Sequence, residues 1–447
     1  MCPSANVLPA DDKEVSVPEH RAADDTPIPG TRRVRLFGLK GSSEAYLVRD
    51  FLARSVVEFD WLELHTDEDS IRALGTPLAE SRLPVVEMPD GARLFAPSVR
   101  DVASRLGWVS QPRLTEYDLS IYGAGPAGLS AAVYAGSEGL RTVLIEREAV
   151  GGQAGTSSFI ENYMGFPGGI SGSSLAERAR QQAVRFGVEL LMMREGIKAE
   201  FQNGRICVDL ADGGKLVAHA NICATGVEYR RLSLPNEDHF LNRGLFYGAG
   251  ASEAPLCSGQ HVFVVGGGNS AGQAAMNFAR HAKKVTMVIR GDSLAATLSH
   301  YLIERVRETA SIEVLYHAEV SALEGDESLR RIQLTNVKTG TAAWVDSEWL
   351  FVCIGGAPNT DWASETAIIR DPSGYLVTGS DLFSEGRPPA CWTLERQPFF
   401  LETSVPGSFA AGDVRHNSVK RVASAVGEGA MAVTFVHRYL EQLRSQQ

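Results

Sequence analysis

The sequence has few cysteines, and none of them are close together. Its six cysteines are Cys2, Cys207, Cys223, Cys257, Cys353 and Cys391. No two are separated by two residues, so the chain has no C-x-x-C pair, and the wide spacing argues against a disulfide framework. Cys207, Cys223 and Cys353 lie in apolar, strand-like runs, where cysteine acts as a small hydrophobic residue. We therefore expect no dithiol centre within the chain, and we predict no metal site.

Long apolar runs and basic clusters are also absent from the sequence. No segment approaches the ~20 apolar residues that a membrane helix requires. The N-terminal residues have neither the basic nor the apolar part of a secretory signal. A net charge of -11, without a basic run interleaved with aromatic residues, argues against a nucleic-acid-binding surface. These features predict a cytoplasmic protein with no nucleic acid and no membrane as partner.

The first of two similar stretches runs from an apolar strand through a glycine-rich turn into a helix. Gly123, Gly125 and Gly128 form a G-x-G-x-x-G turn after the strand that begins at Leu119. One glycine permits the turn, the next lets a pyrophosphate approach the backbone, and the third lets the helix pack on the strand. The following strand ends at Glu146, where a carboxylate would hold a ribose hydroxyl. The stretch therefore predicts a dinucleotide site.

The second stretch repeats this pattern with Gly266, Gly268 and, in the place of the third glycine, Ala271. Its following strand ends at Arg290 instead of an acid, and an arginine there suits a 2′-phosphate. An acid after the first unit and an arginine after the second predict one FAD and one nicotinamide nucleotide. NADPH is favoured for the second site, and NADH stays possible.

The region before the first glycine turn has a pattern of its own. A strand is followed by a helix whose apolar side chains Leu47, Phe51 and Leu52 are predicted to face inward, and then by further strands, a hairpin and a helix. This order, over roughly residues 31–110, resembles a glutaredoxin/thioredoxin-like domain.

In that family, the proline that opens the third strand is cis and faces the redox cysteines. Pro84 has this position here, but the loop over residues 38–45 contains no cysteine. The thiol chemistry of the resembled family is therefore missing from this domain. Two interpretations of this domain stay open: it is a docking or dimer-forming module, or it is a remnant that only stabilises the protein.

The order of the later motifs resembles the low-molecular-weight thioredoxin reductases over about residues 115–447. The motifs are G-x-G-x-x-G, then G-G-Q at residues 151–153, E-N-x-x-G-F-P at 161–167, A-T-G at 224–226, G-G-G-N-S-A at 266–271, I-G-G-A-P-N-T at 354–360 and F-A-A-G-D-V at 409–414. Several motifs in family order make this resemblance specific.

The resemblance implies an α/β fold with two Rossmann-like dinucleotide-binding domains, the FAD domain being split by the inserted NAD(P)H domain. A small thioredoxin-like α/β domain precedes them. It also implies a homodimer, and rotation of the inserted domain about hinges near Gly226 and Trp349. The predicted divisions are a disordered tail (1–30), the thioredoxin-like domain (31–110), the FAD domain (115–230 and 349–447) and the NAD(P)H domain (231–348).

The resemblance and the glycine motifs together assign candidate cofactor contacts. Asp413 would bind the flavin ribityl chain, and Gln153 and Asn162 would lie near the isoalloxazine ring. Lys420 and Arg421 would favour negative charge on the flavin pyrimidine. The FAD candidates are Gly123, Gly125, Pro126, Ala127, Gly128, Glu146, Gly152, Gln153, Asn162, Ala224, Thr225, Gly226, Gly412, Asp413, Lys420, Arg421 and Val422. The NAD(P)H candidates are Gly266, Gly268, Asn269, Ser270, Ala271, Arg290, Ile354 and Gly355.

The chain departs from the resembled family where the redox disulfide would lie. Gly248 and Ala251 stand at the two cysteine positions, and Ser252 stands at the acid. Disulfide reduction needs one thiolate to attack and a second thiol to resolve the intermediate, and this stretch supplies neither. Of the family's 2′-phosphate signature only Arg290 is retained, and Asp292 could repel a phosphate.

The sequence therefore predicts an FAD-dependent NAD(P)H oxidoreductase that passes hydride from nicotinamide to flavin and on to an unidentified acceptor. A protein redox partner could dock on the N-terminal domain. One alternative is a non-catalytic flavin- or nucleotide-binding regulatory protein. The other is a disulfide reductase that uses the thiols of a partner, with Cys257 or Cys391 forming a mixed disulfide.

Overall fold

The computed structural model describes residues 33–202, 204–248, 250 and 252–445. The predicted tail over residues 1–30, Cys2 and the predicted replacement Ala251 lie outside the described residues. Within the described part of the chain, no helix combines the length and the apolar character needed to cross a membrane.

The N-terminal unit is built on a four-stranded sheet. Its elements are β1 (Val34–Gly38), α1 (Ser43–Arg54), β2 (Phe59–Glu63), α2 (Asp67–Leu74), β3 (Val85–Glu87), β4 (Arg93–Phe95) and α3 (Val99–Arg105). The strand order is β2-β1-β3-β4, with β1 and β2 parallel and the other two pairs antiparallel. The Leu83–Pro84 peptide bond, before β3, is cis.

Helix α1 corrects one prediction about its buried face. Phe51 and Leu52 are buried as predicted, but Leu47 is 48% exposed. The helix buries two adjacent faces, because Val48 and Leu52 join the core of the N-terminal unit while Tyr46 packs against the inserted domain. Leu47 lies outside both faces, which the apolar pattern of the helix alone could not show.

The first Rossmann-like domain begins with alternating strands and helices. Its elements up to the inserted domain are β5 (Tyr117–Tyr122), α4 (Pro126–Ser137), β6 (Thr142–Glu146), α5 (Gly152–Gly155), α6 (Gly172–Arg185), β7 (Glu189–Met192), β8 (Gly196–Gln202), β9 (Arg205–Leu210), β10 (Lys215–Cys223) and β11 (Val227–Tyr229). Strands β7, β6, β5 and β10 are parallel neighbours, and β9 and β8 extend the sheet antiparallel.

The inserted domain has a second sheet of parallel strands. Its elements are α7 (Glu237–Phe240), β12 (Leu245–Tyr247), β13 (His261–Val265), α8 (Asn269–Phe278), β14 (Lys284–Ile289), α9 (His300–Glu308), β15 (Ile312–Tyr316), β16 (Ala318–Gly325), β17 (Leu329–Asn336), β18 (Ala342–Asp346) and β19 (Leu350–Val352). The parallel order is β12-β19-β13-β14-β15, and β16 to β18 form a separate antiparallel sheet.

The strand pairing in this sheet shows that the inserted domain ends later in the chain than predicted. The predicted boundary after residue 348 falls before β19, yet β19 pairs with both β12 and β13. Trp349, the predicted hinge, is buried in the core of the same domain. The chain leaves the domain after β19, where β20 (Gly356–Pro358) pairs antiparallel with β11. The two connections between the domains therefore form one two-stranded ribbon.

The C-terminal segment completes the first sheet. It contains β21 (Ser408–Ala410) and α10 (Val422–Ser445). Strand β21 pairs parallel with β10, so this sheet is assembled from two segments separated by the inserted domain. Helix α10 packs against α4 through small residues, and Gly429 lies so close that a Cβ there would be 2.1 Å from the carbonyl oxygen of Ala127.

Candidate functional site

The first glycine turn has the backbone conformation that its sequence predicts. Gly123 has a φ of +100°, and a Cβ on it would lie 2.4 Å from the carbonyl oxygen of Ala224. A Cβ on Gly128 would lie 1.8 Å from the carbonyl oxygen of Gly123. Only glycine fits these two positions. The turn directs the N-terminus of α4, which begins at Pro126, into a cavity, and a helix N-terminus is a favourable site for an anion.

A cavity of about 880 Å³ brings together most of the predicted FAD contacts. Its size lies in the range of small-molecule and cofactor sites. The predicted FAD residues that line it are Gly123, Gly125, Pro126, Ala127, Glu146, Gly152, Gln153, Asn162, Ala224, Thr225, Gly226, Gly412, Asp413, Lys420, Arg421 and Val422. Gly128 does not line the cavity, because it is buried beneath the turn.

Two carboxylates mark separate parts of this cavity. Glu146 accepts hydrogen bonds from the backbone N–H groups of Ala124 and Glu148 at 2.7 and 2.8 Å. Burial raises its pKa although both hydrogen bonds act in the opposite direction. Burial likewise raises the pKa of Asp413, which follows Gly412 at the other side of the first sheet's parallel strands. Both carboxylates are positioned to accept hydrogen bonds from hydroxyl groups.

The predicted cationic pair differs in its contacts. The Lys420 ammonium group donates to the backbone carbonyl of Asp413 at 2.5 Å and lies 4.3 Å from the centre of the Tyr375 ring. Partial desolvation lowers the pKa of Lys420, although its side chain is exposed. Arg421 is exposed and also lines the cavity, just before α10 begins at Val422. The two cations and the helix N-terminus therefore lie on one side of the cavity.

The second glycine turn repeats the geometry of the first. Gly266 donates its N–H to the carbonyl of Val288 on the neighbouring strand, as Gly123 does to Ile145. A Cβ on Gly266 would lie 2.2 Å from the carbonyl oxygen of Cys353. Helix α8 begins after this turn, and its residues Asn269 and Ser270 line the same cavity as the FAD candidates. The starts of both glycine-turn helices therefore face one space.

The other predicted NAD(P)H contacts lie away from the cavity wall. They are Gly266, Gly268, Ala271, Arg290, Ile354 and Gly355. Ala271 is buried under the second turn, and Arg290 is exposed directly after β14. These residues lie at or near the second glycine turn, outside the cavity that the FAD candidates line.

The described residues of the stretch without the family's cysteines are buried or half-buried and contain no dithiol. Gly248 has a φ of +101°, and a Cβ there would lie 2.8 Å from the Tyr229 hydroxyl. The nearest cysteine in sequence, Cys257, is fully buried, and burial together with the Glu253 carboxylate raises the pKa of its thiol. The five cysteines in the described ranges, which exclude Cys2, are all free. A side chain at position 248 would have to displace Tyr229.

The structure adds residues to the cavity that the sequence patterns did not indicate. Tyr229 lines it, donates or accepts a hydrogen bond with Thr156 at 3.1 Å, and has a pKa raised to about 12 by burial. Its position three residues after A-T-G could have suggested it. Gln273, one turn after Asn269, could have been found from the helix period. Arg54 comes from the N-terminal unit, and nothing in its local sequence points to this cavity.

Comparison with known proteins places the part of the chain after the N-terminal unit in a family. The family model described as pyridine nucleotide-disulphide oxidoreductase matches residues 117–429. The thioredoxin reductase of Treponema pallidum (strain Nichols) is 34% identical over 331 residues, covering 74% of this chain and 99% of that protein. The thioredoxin reductase of Peptoclostridium acidaminophilum is 33% identical, covering 73% and 97%.

Solved structures of thioredoxin reductases are similar over the same share of the chain. The Lactococcus lactis enzyme (FR conformation) matches with a TM-score of 0.65 and 27% identity, covering 73% of this chain and 99% of that one. The T. acidophilum enzyme matches with a TM-score of 0.65 and 26% identity, covering 74% and 100%. These matches confirm the prediction of a thioredoxin-reductase-like NAD(P)H-dependent flavoprotein oxidoreductase. Because the family model spans well over half of the chain, this protein belongs to the pyridine nucleotide-disulphide oxidoreductase family.

Proposed function

We propose that this protein oxidises a nicotinamide nucleotide through bound FAD and delivers the electrons to an acceptor that is not a disulfide of its own chain. The observation that carries the proposal is the shared cavity: the starts of α4 and α8, each opened by its own glycine turn, line one space. A nucleotide at the second turn would therefore approach whatever occupies the first.

The residues of the cavity fit an FAD. The turn at Gly123 and the N-terminus of α4 offer backbone N–H groups to a diphosphate, and no Cβ obstructs its approach at Gly125. Glu146 and Asp413 offer carboxylate oxygens to sugar and ribityl hydroxyls. When bound there, FAD would supply the two-electron chemistry by accepting a hydride from the reduced nicotinamide.

The chain's own groups position and polarise that cofactor. The Gln153 side-chain amide donates to the carbonyl of Val227 at 2.7 Å, which ties α5 to the start of the interdomain ribbon. Lys420, Arg421 and the N-terminus of α10 place positive charge on one side of the cavity, where they favour negative charge on a bound ring. Tyr229 lines the cavity, and its ring lies beside Gly248.

For the second nucleotide we propose NADPH. Arg290 follows β14 at the carboxyl end of the parallel sheet, where the 2′-phosphate of the adenosine ribose would lie. The Arg290 side chain is exposed, so its guanidinium can make a bidentate contact with a phosphate. Asp292 is also exposed and can turn away from the phosphate.

The environment of Cys257 argues against the alternative of a reductase that uses partner thiols, and Cys391, although exposed, does not line the cavity. Cys257 is buried and its thiol pKa is raised, so it is a poor nucleophile. The neighbouring surface is covered, because the Tyr46 ring packs against Phe246 at 5.2 Å. The acceptor is therefore proposed to be a small molecule or a protein redox partner that reaches the flavin without a relay through thiols.

For the N-terminal unit we propose a thioredoxin-like fold without its redox function. The strand order β2-β1-β3-β4, with a parallel first pair and an antiparallel hairpin, supports this proposal. The unit lies outside the region matched by the family model, which begins at residue 117. We further propose a cytoplasmic homodimer, and a partner that docks on the N-terminal unit remains part of the proposal.

The experiment that tests the proposal is an anaerobic titration of the purified protein with NADPH and then with NADH, followed by flavin absorbance. Rapid bleaching by NADPH, with weaker reduction by NADH, is the expected result, and a screen of acceptors would follow. A bound flavin that neither nucleotide reduces would instead leave the non-catalytic nucleotide-binding protein as the function.

A further inference from the structure

Helix α1 of the N-terminal unit lies against both nucleotide-binding domains. Near its start, the Tyr46 ring packs against Phe246 of β12 in the inserted domain. Two turns later, Arg54 reaches the loop that follows β6 in the first domain. One helix therefore connects the two domains from outside the ribbon that joins them.

The contact with the inserted domain contains a buried ion pair. Arg49 donates to a carboxylate oxygen of Glu253 at 3.0 Å, and the two side chains are 10% and 1% exposed. The guanidinium also lies over the rings of Tyr46 and Trp61, at 5.8 and 5.4 Å from their centres. Ser252 donates to the same carboxylate oxygen at 2.5 Å. A buried carboxylate in one domain is thus compensated by a cation from another unit.

The contact with the first domain reaches the cavity itself. The Arg54 guanidinium lies 3.4 Å from the carbonyl oxygen of Ala149 and 3.5 Å from that of Gly152. It also pairs with Glu148 at 3.4 Å. Arg54, Glu148 and Gly152 all line the cavity, and the Ala149 side chain joins the hydrophobic core of the N-terminal unit. Arg54 therefore holds the loop between β6 and α5 and the start of α5, where the predicted flavin contacts Gly152 and Gln153 lie.

We propose that α1 fixes the relative orientation of the two nucleotide-binding domains, with Arg49 and Arg54 as positioning residues that keep the start of α8 facing the flavin cavity. This inference rests on the proposed function for its effect on rate. The covalent links between the domains are the two strands of the β11–β20 ribbon, and such a ribbon permits rotation about itself. The Arg305–Glu161 pair adds a direct contact, at 2.5 Å, that is partly exposed.

A fixed orientation has a chemical reason in this chain. Transfer between two bound cofactors requires their reacting atoms to lie about 3–3.5 Å apart, and small displacements cost large factors in rate. In this structure the starts of α4 and α8 already line one cavity, and the described cysteines are all free, so this one arrangement serves the proposed transfer. The N-terminal unit then acts as a permanent part of the oxidoreductase instead of a separate redox module.

The test removes the buried pair without leaving an unpaired charge. In the double variant Arg49→Met with Glu253→Gln, anaerobic stopped-flow reduction by saturating NADPH is expected to show a limiting rate at least tenfold lower than wild type. Flavin content and the apparent affinity for NADPH are expected to stay within twofold. The single variant Arg49→Lys, which keeps Glu253 and a cation beside it, should have a limiting rate between those of the double variant and the wild type. The control is Arg72→Met, on α2, whose side chain is 79% exposed.

A second measurement follows the orientation without catalysis. Spin labels at Lys215→Cys in the first domain and Lys338→Cys in the inserted domain, with Cys2→Ser and Cys391→Ser, report an interdomain distance by pulsed EPR. We expect one narrow distribution for the otherwise native chain and a broader or second one in the double variant. Unchanged distributions, or a wild-type limiting rate in the double variant, would overturn the inference. If NADPH does not reduce the flavin of the native protein, the proposed function is refuted. The EPR distance distributions would still decide whether α1 fixes the relative orientation of the two domains.

Discussion

At the scale of single residues, the backbone explains why glycine recurs where it does. Gly123 and Gly266 both have positive φ angles, and both leave no room for a Cβ against a carbonyl of the neighbouring segment. Gly128 has no room either, whereas the corresponding Ala271 is accommodated in the second turn. The first turn therefore tolerates less side-chain volume than the second, although both were predicted from the same pattern.

A buried carboxylate near the entrance of the inserted domain has a predictable effect on stability. Glu237 accepts hydrogen bonds from the Tyr247 hydroxyl and Arg231 at 2.6 Å each, and from the Leu234 N–H at 3.0 Å. Burial alone would raise its pKa, but these hydrogen bonds hold the pKa below its usual value. Its folded-state pKa therefore lies below the unfolded one, so its stabilisation is present above the unfolded pKa and lost as pH falls through the folded pKa.

We expect Glu237→Gln to lower the free energy of unfolding at pH 7 by about 1–3 kcal/mol, because it removes a charge that accepts several hydrogen bonds. The difference from wild type should shrink as the pH falls below about 4.3, the usual value for a glutamate, and through the folded pKa. Urea denaturation at a series of pH values measures this, with the exposed Glu327→Gln as control. A difference that stays constant with pH would contradict the assignment.

At the scale of elements, close helix packing holds the first domain together. Helices α4 and α10 meet through alanine and glycine, which lets the backbones approach and positions the α4 N-terminus at the cavity. Helix α1 is an element with two buried faces, one directed to its own sheet and one to the inserted domain. The apolar pattern predicted the first face, and only the assembled molecule revealed the second.

Two glycines of α10 should respond in opposite directions to the same substitution. A Cβ on Gly429 would lie 2.1 Å from the Ala127 carbonyl oxygen, whereas no atom lies within 4 Å of a Cβ on Gly427. We expect Gly429→Ala to destabilise the protein by about 1–3 kcal/mol through overpacking. Gly427→Ala should stabilise it by about 0.5–1 kcal/mol, since alanine favours the helix. Thermal and urea unfolding of both variants measure these changes in stability. If the two substitutions change the free energy of unfolding by the same amount, the close α4–α10 contact at Gly429 is contradicted.

At the scale of the whole molecule, one cavity is built from all three parts of the chain. The first domain supplies the glycine turn and the carboxylates, the inserted domain supplies Asn269 and Ser270, and the N-terminal unit supplies Arg54. No cysteine pair lies at this cavity among the described residues. In the proposed function, bound FAD would therefore be the one carrier of the electrons that enter the cavity.

We therefore expect reduction to end at about one NADPH per flavin, since FAD and NADPH each carry two electrons. The number of protein thiols, measured in denaturant with a chromogenic disulfide reagent, should be the same before and after reduction. Uptake of a second equivalent together with two new thiols would reveal a redox disulfide and contradict the proposal.

The sequence by itself determined the two strand–glycine turn–helix units and the acid Glu146 that ends β6, because each depends on residues that are neighbours in the chain. Spacing is a sufficient signal when strand, turn and helix follow one another directly. The predicted end of the inserted domain comes too early in the chain. Strand β19 belongs to a sheet whose other strands lie far away in sequence, so the local pattern does not assign it to this domain.

Tertiary structure decided what depends on distant partners. Arg49 and Glu253 are 204 residues apart, and a buried arginine on a helix has no local signal that distinguishes it from a solvated one. The exposure of Leu47, the entry of Arg54 into the cavity and the position of Tyr229 against Gly248 have the same origin. Each results from how separately folded units contact one another, which the periodicity of one segment does not encode.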